Sequence, residues 1–451
     1  MEPIPAGAAP WREVFRGARG RLVIGLVLLE TLAAIHMLVV AAVMPAVLVD
    51  LGHLPLYGWS FTAASLALFG SIPVAGAAVD RFGARRLLVV VALIYLGGLL
   101  VSALAPSMQV LIAGRFLQGA ANGAAYALSI GAVAKSLPTD VRPRVLALLA
   151  TAWLLPGLVG PPLGALLAST VGWRWAFVVP IPLLILSVAL VLPLLDDAGD
   201  PDAPRPPVLR SIALMLGAGV LLAGLGDPSI RALAPILVGG AVTVVALRGL
   251  VPPGTFAARR GMPAAALAAL LLSIAFVAAD SYTPLMLTNV RGTSVLAAGL
   301  ALTFAAVAWA LGSWWQSRRA NRVRASTLVL LGDTLLVAGI VAVVAVLTGG
   351  PLALAYVGWA VAGFGMGVAY PTVPLAVMAR AEEGREAAEL APVLLMDMLG
   401  IAAGAGLGGV AIALSVAKDA PVRSGIAGAF AVAIAAALAL LLVCRRIDPP
   451  A

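Results

Sequence analysis

GAAVDRFGARR, residues 76–86, is the stretch on which the reading of this chain turns. It puts Asp80, Arg81, Arg85 and Arg86 within seven residues of a 451-residue chain that is 62% hydrophobic and only 11% charged. The segments on either side are apolar runs of about twenty residues, the length that crosses roughly 30 Å of hydrocarbon at about 1.5 Å per residue. The charged stretch therefore reads as a short connection between two membrane helices, lying in water at one face of the bilayer.

Outward from it in both directions the pattern repeats. Apolar runs lie near residues 22–49, 57–79, 87–105, 108–135, 145–169, 174–195, 210–226, 229–250, 262–288, 295–316, 326–348, 351–379, 387–416 and 421–444, and mean hydropathy is +1.08. The connections are short and rich in Gly, Pro and Arg, which leaves no room for a soluble domain of appreciable size. The expected fold class is all-α integral membrane, with fourteen transmembrane helices.

Basic residues set the expected orientation, because Lys and Arg concentrate in cytoplasmic loops. With the N-terminus inside, five of the 29 Lys and Arg fall outside (Arg174, Arg231, Arg291, Lys418, Arg423), Arg115 falls within a span, and the other 23 are cytoplasmic. Both termini are expected inside. The net charge of +9 is this bias and not a nucleic-acid footprint, since no basic tract is interleaved with aromatics as RNA binding requires. The first twenty residues carry Arg12, Arg16 and Arg19 without a compact apolar core and cleavage site, so they read as a cytoplasmic lead-in and not a signal peptide. Arg outnumbers Lys 27 to 2, which points to a GC-rich bacterial genome and a bacterial cytoplasmic (inner) membrane. Cys444 stands alone, so no disulfide within the chain is expected. There is no G-x-x-x-x-G-K-[ST] loop to cradle phosphates, and one Cys with two distant His makes no metal cluster. Neither ATP use nor a cofactor is expected.

Internal repetition carries more information. The fourth run contains GRFLQGAANGAAY from Gly114, and the twelfth, 244 positions later, contains GWAVAGFGMGVAY; Gly114/Gly358, Gly119/Gly363, Gly123/Gly367 and Tyr126/Tyr370 coincide. The same offset pairs Gly160, Leu163 and Gly164 with Gly404, Leu407 and Gly408, while Gly76 and Asp80 find a fainter echo in Gly312 and Gln316. Helices 1–6 and 9–14 thus read as duplicated halves, a transporter architecture with substrate sites at the repeat interface. The expected organisation is an N-terminal six-helix half (1–195), a cytoplasmic linker (196–209), an inserted hairpin of helices 7 and 8 (210–250) and a C-terminal six-helix half (251–451). Because 210–226 is barely long enough to span, a re-entrant or surface hairpin is the alternative.

The opening stretch now becomes specific. G-x-x-x-D-R-x-G-x-R-R, met by Gly76, Asp80, Arg81, Gly83, Arg85 and Arg86, resembles the signature loop of the major facilitator superfamily. An ordinary positive-inside loop accounts for the arginines but not for Asp80 between glycines. Gly76 is expected to let two helices approach closely, Gly83 to permit a tight turn, and Asp80 to lie against the amide-rich N-terminus of another helix. The resemblance implies that this partner is helix 13, and that Asp80 and Arg85 latch the outward-facing state.

Helix 4 adds R-x-x-Q-G as Arg115, Gln118 and Gly119, with Asn122 and Tyr126 on the same face. Arginine in hydrocarbon marks a functional site unless it snorkels to the nearer surface; the resemblance implies that it tunes proton transfer in exporters. In helix 5, PGLVGPPLG (156–164) resembles the antiporter motif G-x-x-x-G-P-x-x-G-G. Gly160, Pro161 and Gly164 match, Gly157 is one position off, and Ala165 replaces the last glycine. Such residues thin and kink a helix so that the facing helix of the other half can rock against it, and the motif's association with exporters implies efflux. VGWRWAF (171–177) is similar to a segment of fourteen-helix drug:proton antiporters, although alone it is an aromatic belt.

Pumping uphill needs a titratable group that both sides reach in turn. Glu30 in helix 1 and Asp397 near the middle of helix 13 lead, Asp280 in helix 9 follows, and Asp333 in helix 11, an outer-layer position, comes last; a structural polar contact between helices is the alternative for each. In the exporters it resembles, an aspartate sits nine residues before the helix 1 proline. Counted from Pro45 that position holds His36, so Glu30 stands in for the acid and cation selectivity is left open. His36, Gln118, Asn122, Tyr126 and Tyr370 are the expected polar cavity residues, with Phe61, Trp153, Trp309 and Trp314 as candidate aromatic lining.

The whole chain resembles a fourteen-helix drug:proton antiporter of the superfamily: two six-helix halves of the major facilitator fold plus an inserted hairpin. The resemblance implies proton-coupled efflux of small amphipathic organic molecules by alternating access, carried out by a monomer among membrane lipids, with no enzyme activity. An exporter or flippase of an endogenous lipid or metabolite is the nearest alternative. A non-transporting membrane sensor or assembly factor is the alternative from another class.

Overall fold

The computed structural model describes residues 15–137, 145, 148–149, 152, 154–195, 199–200, 206, 208–248, 251–320, 322–380 and 386–448. Among these residues the regular structure is helical and no strand forms. In chain order the long helices are α1 (Gly17–Leu51), α2 (Tyr57–Phe82), α3 (Ala84–Ala103), α4 (Met108–Ser136), α5 (Leu154–Thr170), α6 (Pro180–Val191), α7 (Val208–Leu225), α8 (Leu233–Leu247), α9 (Met262–Asp280), α10 (Val295–Ser317), α11 (Ala325–Leu347), α12 (Ala353–Met378), α13 (Glu386–Ala417) and α14 (Val422–Val443). A single turn, Trp175–Val178, precedes α6, and α9 continues through Thr283–Leu285 into a π-helical turn, Met286–Val290. Twelve segments are long and apolar enough to cross a membrane. Outside that twelve are α4, which carries Arg115, Gln118 and Asn122, and α5, which runs for 17 residues. By length and composition, the expectation of fourteen crossings is met in twelve segments.

Local chemistry sets the ends. Gly83 takes φ +85°, a value that favours glycine, and its N–H closes α2 onto the Val79 carbonyl at 3.1 Å, so α3 starts one residue later. Ser107 and Ser294 cap α4 and α10 by accepting from Val110 N and Ala297 N.

The duplication is visible in how glycines meet backbone. A Cβ on Gly119 would lie 2.0 Å from the Ala64 carbonyl oxygen, and one on Gly363 2.2 Å from that of Ala305. Gly123 meets the Leu68 carbonyl and Gly367 that of Trp309, both at 2.1 Å. The joint of α4 on α2 is thus built a second time by α12 on α10. It pairs Ala64 with Ala305 and Leu68 with Trp309, which corrects the echo of Gly76 and Asp80 in Gly312 and Gln316. The position equivalent to Asp80 is Asn321, which lies outside the described residues, and Arg322 is equivalent to Arg81.

The halves meet along two seams, α2 with α13 and α5 with α10. Close contacts lie towards the end remote from the termini: a Cβ on Gly58 would sit 2.5 Å from Gly409 Cα, and one on Gly299 3.0 Å from the Pro161 carbonyl. At the end that carries the termini each half keeps a core of its own. Leu22, Leu26, Val79, Leu128 and Leu195 cluster in the N-terminal half, and Ala258, Ala264 and Val443 in the C-terminal half. Among the described residues, the close backbone contacts between the halves lie at the remote end. α7 lies along the first seam, where its Met215 fills the space beside Gly70 of α2 and its Leu222 fills that beside Gly406 of α13.

Three expectations about small residues change here. Gly76 has open space where its Cβ would be, so it does not serve close helix approach. Gly160 and Gly164 face Leu38 and Val39 of α1, in their own half. The contact of α5 with the other half uses Pro161, together with the two positions that depart from the motif: Gly157 against Ala306, and Ala165 against Gly299.

Candidate functional site

Asp397, the twelfth of the 32 residues of α13, is 3% exposed. A carboxylate removed from water needs donors, and it has two: the Ser273 hydroxyl of α9 on Oδ1 and the Tyr370 hydroxyl of α12 on Oδ2, the latter at 2.7 Å. Tyr126 of α4, in the other half, is within electrostatic reach of Asp397 and of Glu30. It is 38% exposed although it stands between two acids, so it borders the cleft between the halves. Glu30 is buried at 7% exposure. One acid from each half and the repeat-related tyrosines Tyr126 and Tyr370 thus converge at mid-depth.

Behind Tyr370 the C-terminal half carries a run of rings. Tyr370 meets Trp309 edge-on at 5.4 Å, Trp309 meets Phe276 at 5.2 Å, and Phe276 stacks on Trp359 at 5.3 Å with 12° between planes. Trp359 is fully buried and donates from Nε1 to Asp280 Oδ1 at 3.3 Å. Aromatic pairs in these geometries hold their orientation as well as burying area.

Arg115 is 5% exposed and does not snorkel. Its Nε donates to the Ser60 carbonyl at 3.3 Å and its Nη1 to Gln118 Oε1 at 2.8 Å, and Gln118 in turn donates to the Gly98 carbonyl and the Ser102 hydroxyl. The cation thereby ties α4 to α2 and α3, while Asp397 takes its donors from Ser273 and Tyr370. Asn122 is half-buried in the same half, in a small apolar recess with Tyr95 and Leu184.

The remaining expected residues fall elsewhere. Both Asp333 oxygens are buried in α11 without a hydrogen-bond partner, away from the central group. Trp314 is 55% exposed beneath the Arg318 guanidinium, 3.7 Å from its ring, so it faces the membrane boundary and not the cleft. Phe61 packs on Tyr57 at 5.7 Å. Trp153 lies outside the described residues, as does the side chain of His36. In the signature loop Asp80, Arg85 and Arg86 are exposed, Arg81 is half-exposed, and the Asp80 carbonyl accepts from the backbone N–H of Asp200 at 2.9 Å, which lays the linker against the loop.

Sequence reasoning missed Ser273, Trp359 and Tyr57. Ser273 did leave a signal: it is the one hydroxyl in α9, MPAAALAALLLSIAFVAAD, before Asp280. It also missed Asp50, which binds Arg174 at 2.7 Å and the Trp173 indole at 3.0 Å, turning VGWRWAF into a clasp on the end of α1.

Comparison with known proteins agrees with this fold. The family model described as Major Facilitator Superfamily matches residues 26–405. A probable multidrug-efflux transporter of Mycobacterium tuberculosis is 29% identical over 423 residues, covering 88% of each chain. An efflux pump of Dothistroma septosporum is 27% identical over 61% of this chain and 51% of its own. Among solved structures, a D-xylose-proton symporter superposes with a TM-score of 0.71 at 13% identity, covering 96% of this chain and 98% of that one.

Proposed function

Because the chain belongs to the Major Facilitator Superfamily, we propose that this multi-pass membrane transporter of small molecules exports amphipathic organic compounds in exchange for protons. The observation that carries the reading is Asp397, held by Ser273 and Tyr370 and neighboured from the other half by Tyr126, which is also within electrostatic reach of Glu30. A titratable group at the repeat interface is reached from whichever side the halves part. Its two hydroxyl donors lie in the C-terminal half while Glu30 and Tyr126 belong to the N-terminal half. Rocking therefore changes the surroundings of the acid without dismantling its support. The efflux direction draws on the multidrug-efflux relatives.

In this reading the end bearing the termini is cytoplasmic, and the state described is open inward. Asp80 and Arg85 latch the opposite state, when that end closes. One proton driven inward by about 150 mV, at about 2.3 kcal/mol per charge per 100 mV, sustains a gradient of roughly a few hundredfold for a neutral substrate.

The test is reconstitution in liposomes, following a lipophilic cationic dye under an imposed pH gradient. Gradient-driven flux by the wild type, lost in Asp397→Asn or Glu30→Gln with dye binding retained, supports antiport and identifies the coupling acid. Wild-type flux indifferent to the pH gradient sinks the reading.

A further inference from the structure

The seal at the remote end is built directly beyond Asp280. Tyr57, fully buried at the start of α2 in the N-terminal half, donates to the Ser281 carbonyl at 3.4 Å and packs its ring 5.8 Å from that of Tyr282. Tyr282 donates to the Ala405 carbonyl of α13 at 2.7 Å, and Gly58 and Gly409 bring the two halves into backbone contact beside it. Asp280 therefore stands immediately beneath the plug, with Tyr57 as its electrostatic neighbour from the opposite half.

Asp280, Asp333 and Asp397, three of the carboxylates in the C-terminal half's helices, differ in what surrounds them. Asp397 has both oxygens bonded, and Asp333 is fully buried with neither oxygen hydrogen-bonded. Asp280 is half-buried, with one oxygen accepting from Trp359. The run of rings Trp359, Phe276, Trp309 and Tyr370 ties it to Asp397 within the same half, so the two acids move together when the halves rock. Tyr57 belongs to the other half and moves away. The groups facing Asp280 are the Trp359 indole from α12 and the Tyr57 phenol from α2. Of the cations at this end, Lys418 and Arg423 are exposed, and Arg291 donates to the Val346 carbonyl.

From this geometry we infer that Asp280 is a second proton site, loaded from the outside when Tyr57 withdraws and emptied into the inward-open cleft, so that two protons enter per substrate exported. The inference rests on the antiport reading and adds a separate site to it. The proton passes from water at the outer face to a carboxylate oxygen and leaves to water in the cleft, with no other bond made or broken.

The measurement is the proton-to-dye ratio in liposomes, taken from the combinations of pH gradient and voltage at which net dye flux vanishes. The expected ratio is two for the wild type and one for Asp280→Asn, with gradient-driven flux retained in the variant. A wild-type ratio of one, or the same ratio in both proteins, overturns the inference and leaves antiport at Asp397 standing. Absence of gradient-driven flux in the wild type sinks the antiport reading and this site with it. Should folded Asp280→Asn be inactive, Asp280→Glu decides: flux restored at a ratio of two supports the site, and inactivity of both variants overturns it.

Discussion

Tyr126 and Tyr370 occupy the same position in the two halves, 244 residues apart, and both stand at Asp397. Their roles nonetheless differ. Tyr370 donates to the carboxylate from within the same half, at 2.7 Å, whereas Tyr126 approaches from across the cleft and keeps 38% of its surface exposed.

That difference separates two conservative variants. Tyr370→Phe removes a donor from a buried charge, a loss worth about 1–3 kcal/mol, and is expected to slow pH-driven dye flux by about tenfold or more at fixed pH. Tyr126→Phe leaves the bonds of Asp397 intact and is expected to change the apparent affinity for dye more than the maximal rate. Initial rates in liposomes across a dye titration separate the two effects.

The repeated glycine joint makes a stability prediction. Gly119→Ala and Gly363→Ala each drive a methyl into backbone at 2.0–2.2 Å, where the partner helix has to move as a whole. Overpacking of this kind costs about 1–3 kcal/mol, so both variants should melt several degrees lower in detergent and by similar amounts. Gly76→Ala, with open space at its Cβ, should melt as the wild type does.

The α5–α10 seam offers a reversible lock. A Cβ on Gly157 would sit 3.0 Å from Ala306 Cβ, slightly inside the 3.5–4.5 Å or so that a disulfide spans. Gly157→Cys with Ala306→Cys, in a Cys444→Ser background, should cross-link on oxidation. The expected result is arrested dye transport that returns on reduction; full transport by the oxidised, cross-linked protein would show that this seam does not part during the cycle.

The clasp at the remote end should owe its strength to packing more than to charge. Asp50 and Arg174 are 47% and 45% exposed, and exposed ion pairs are worth less than about 1 kcal/mol. Trp173 is 5% exposed and packs edge-on against Phe177, and truncating a buried Trp costs about 3–5 kcal/mol. Arg174→Ala should therefore lower the melting temperature only slightly and Trp173→Ala markedly, as thermal unfolding in detergent would measure.

Much of this was legible before any coordinates. Hydrophobic run length places most of the described helices within a few residues, α5 and α6 being shorter than their runs, because a span must satisfy its own backbone hydrogen bonds and must cover a fixed thickness. Glu30, Arg115, Asp280 and Asp397 stood out because ionisable groups are rare in such helices. Ser273 did not, since a lone hydroxyl in an apolar helix is ordinary until a partner 124 residues away is known to face it.

The amino-acid sequence by itself determined the helical membrane fold, the repeated small-residue pattern and which ionisable residues lie within the apolar helices, since each follows from local composition and spacing. Only the tertiary structure decided which of them meet. It set Asp397 on Ser273 and Tyr370, gave Arg115 to Ser60 and Gln118, placed Asp280 beneath Tyr57, and turned Gly160 and Gly164 towards α1. The physical reason is rotational. In a helix apolar on nearly all sides periodicity marks no preferred face, so its orientation about its axis is fixed only by how closely its small residues let neighbouring backbones approach.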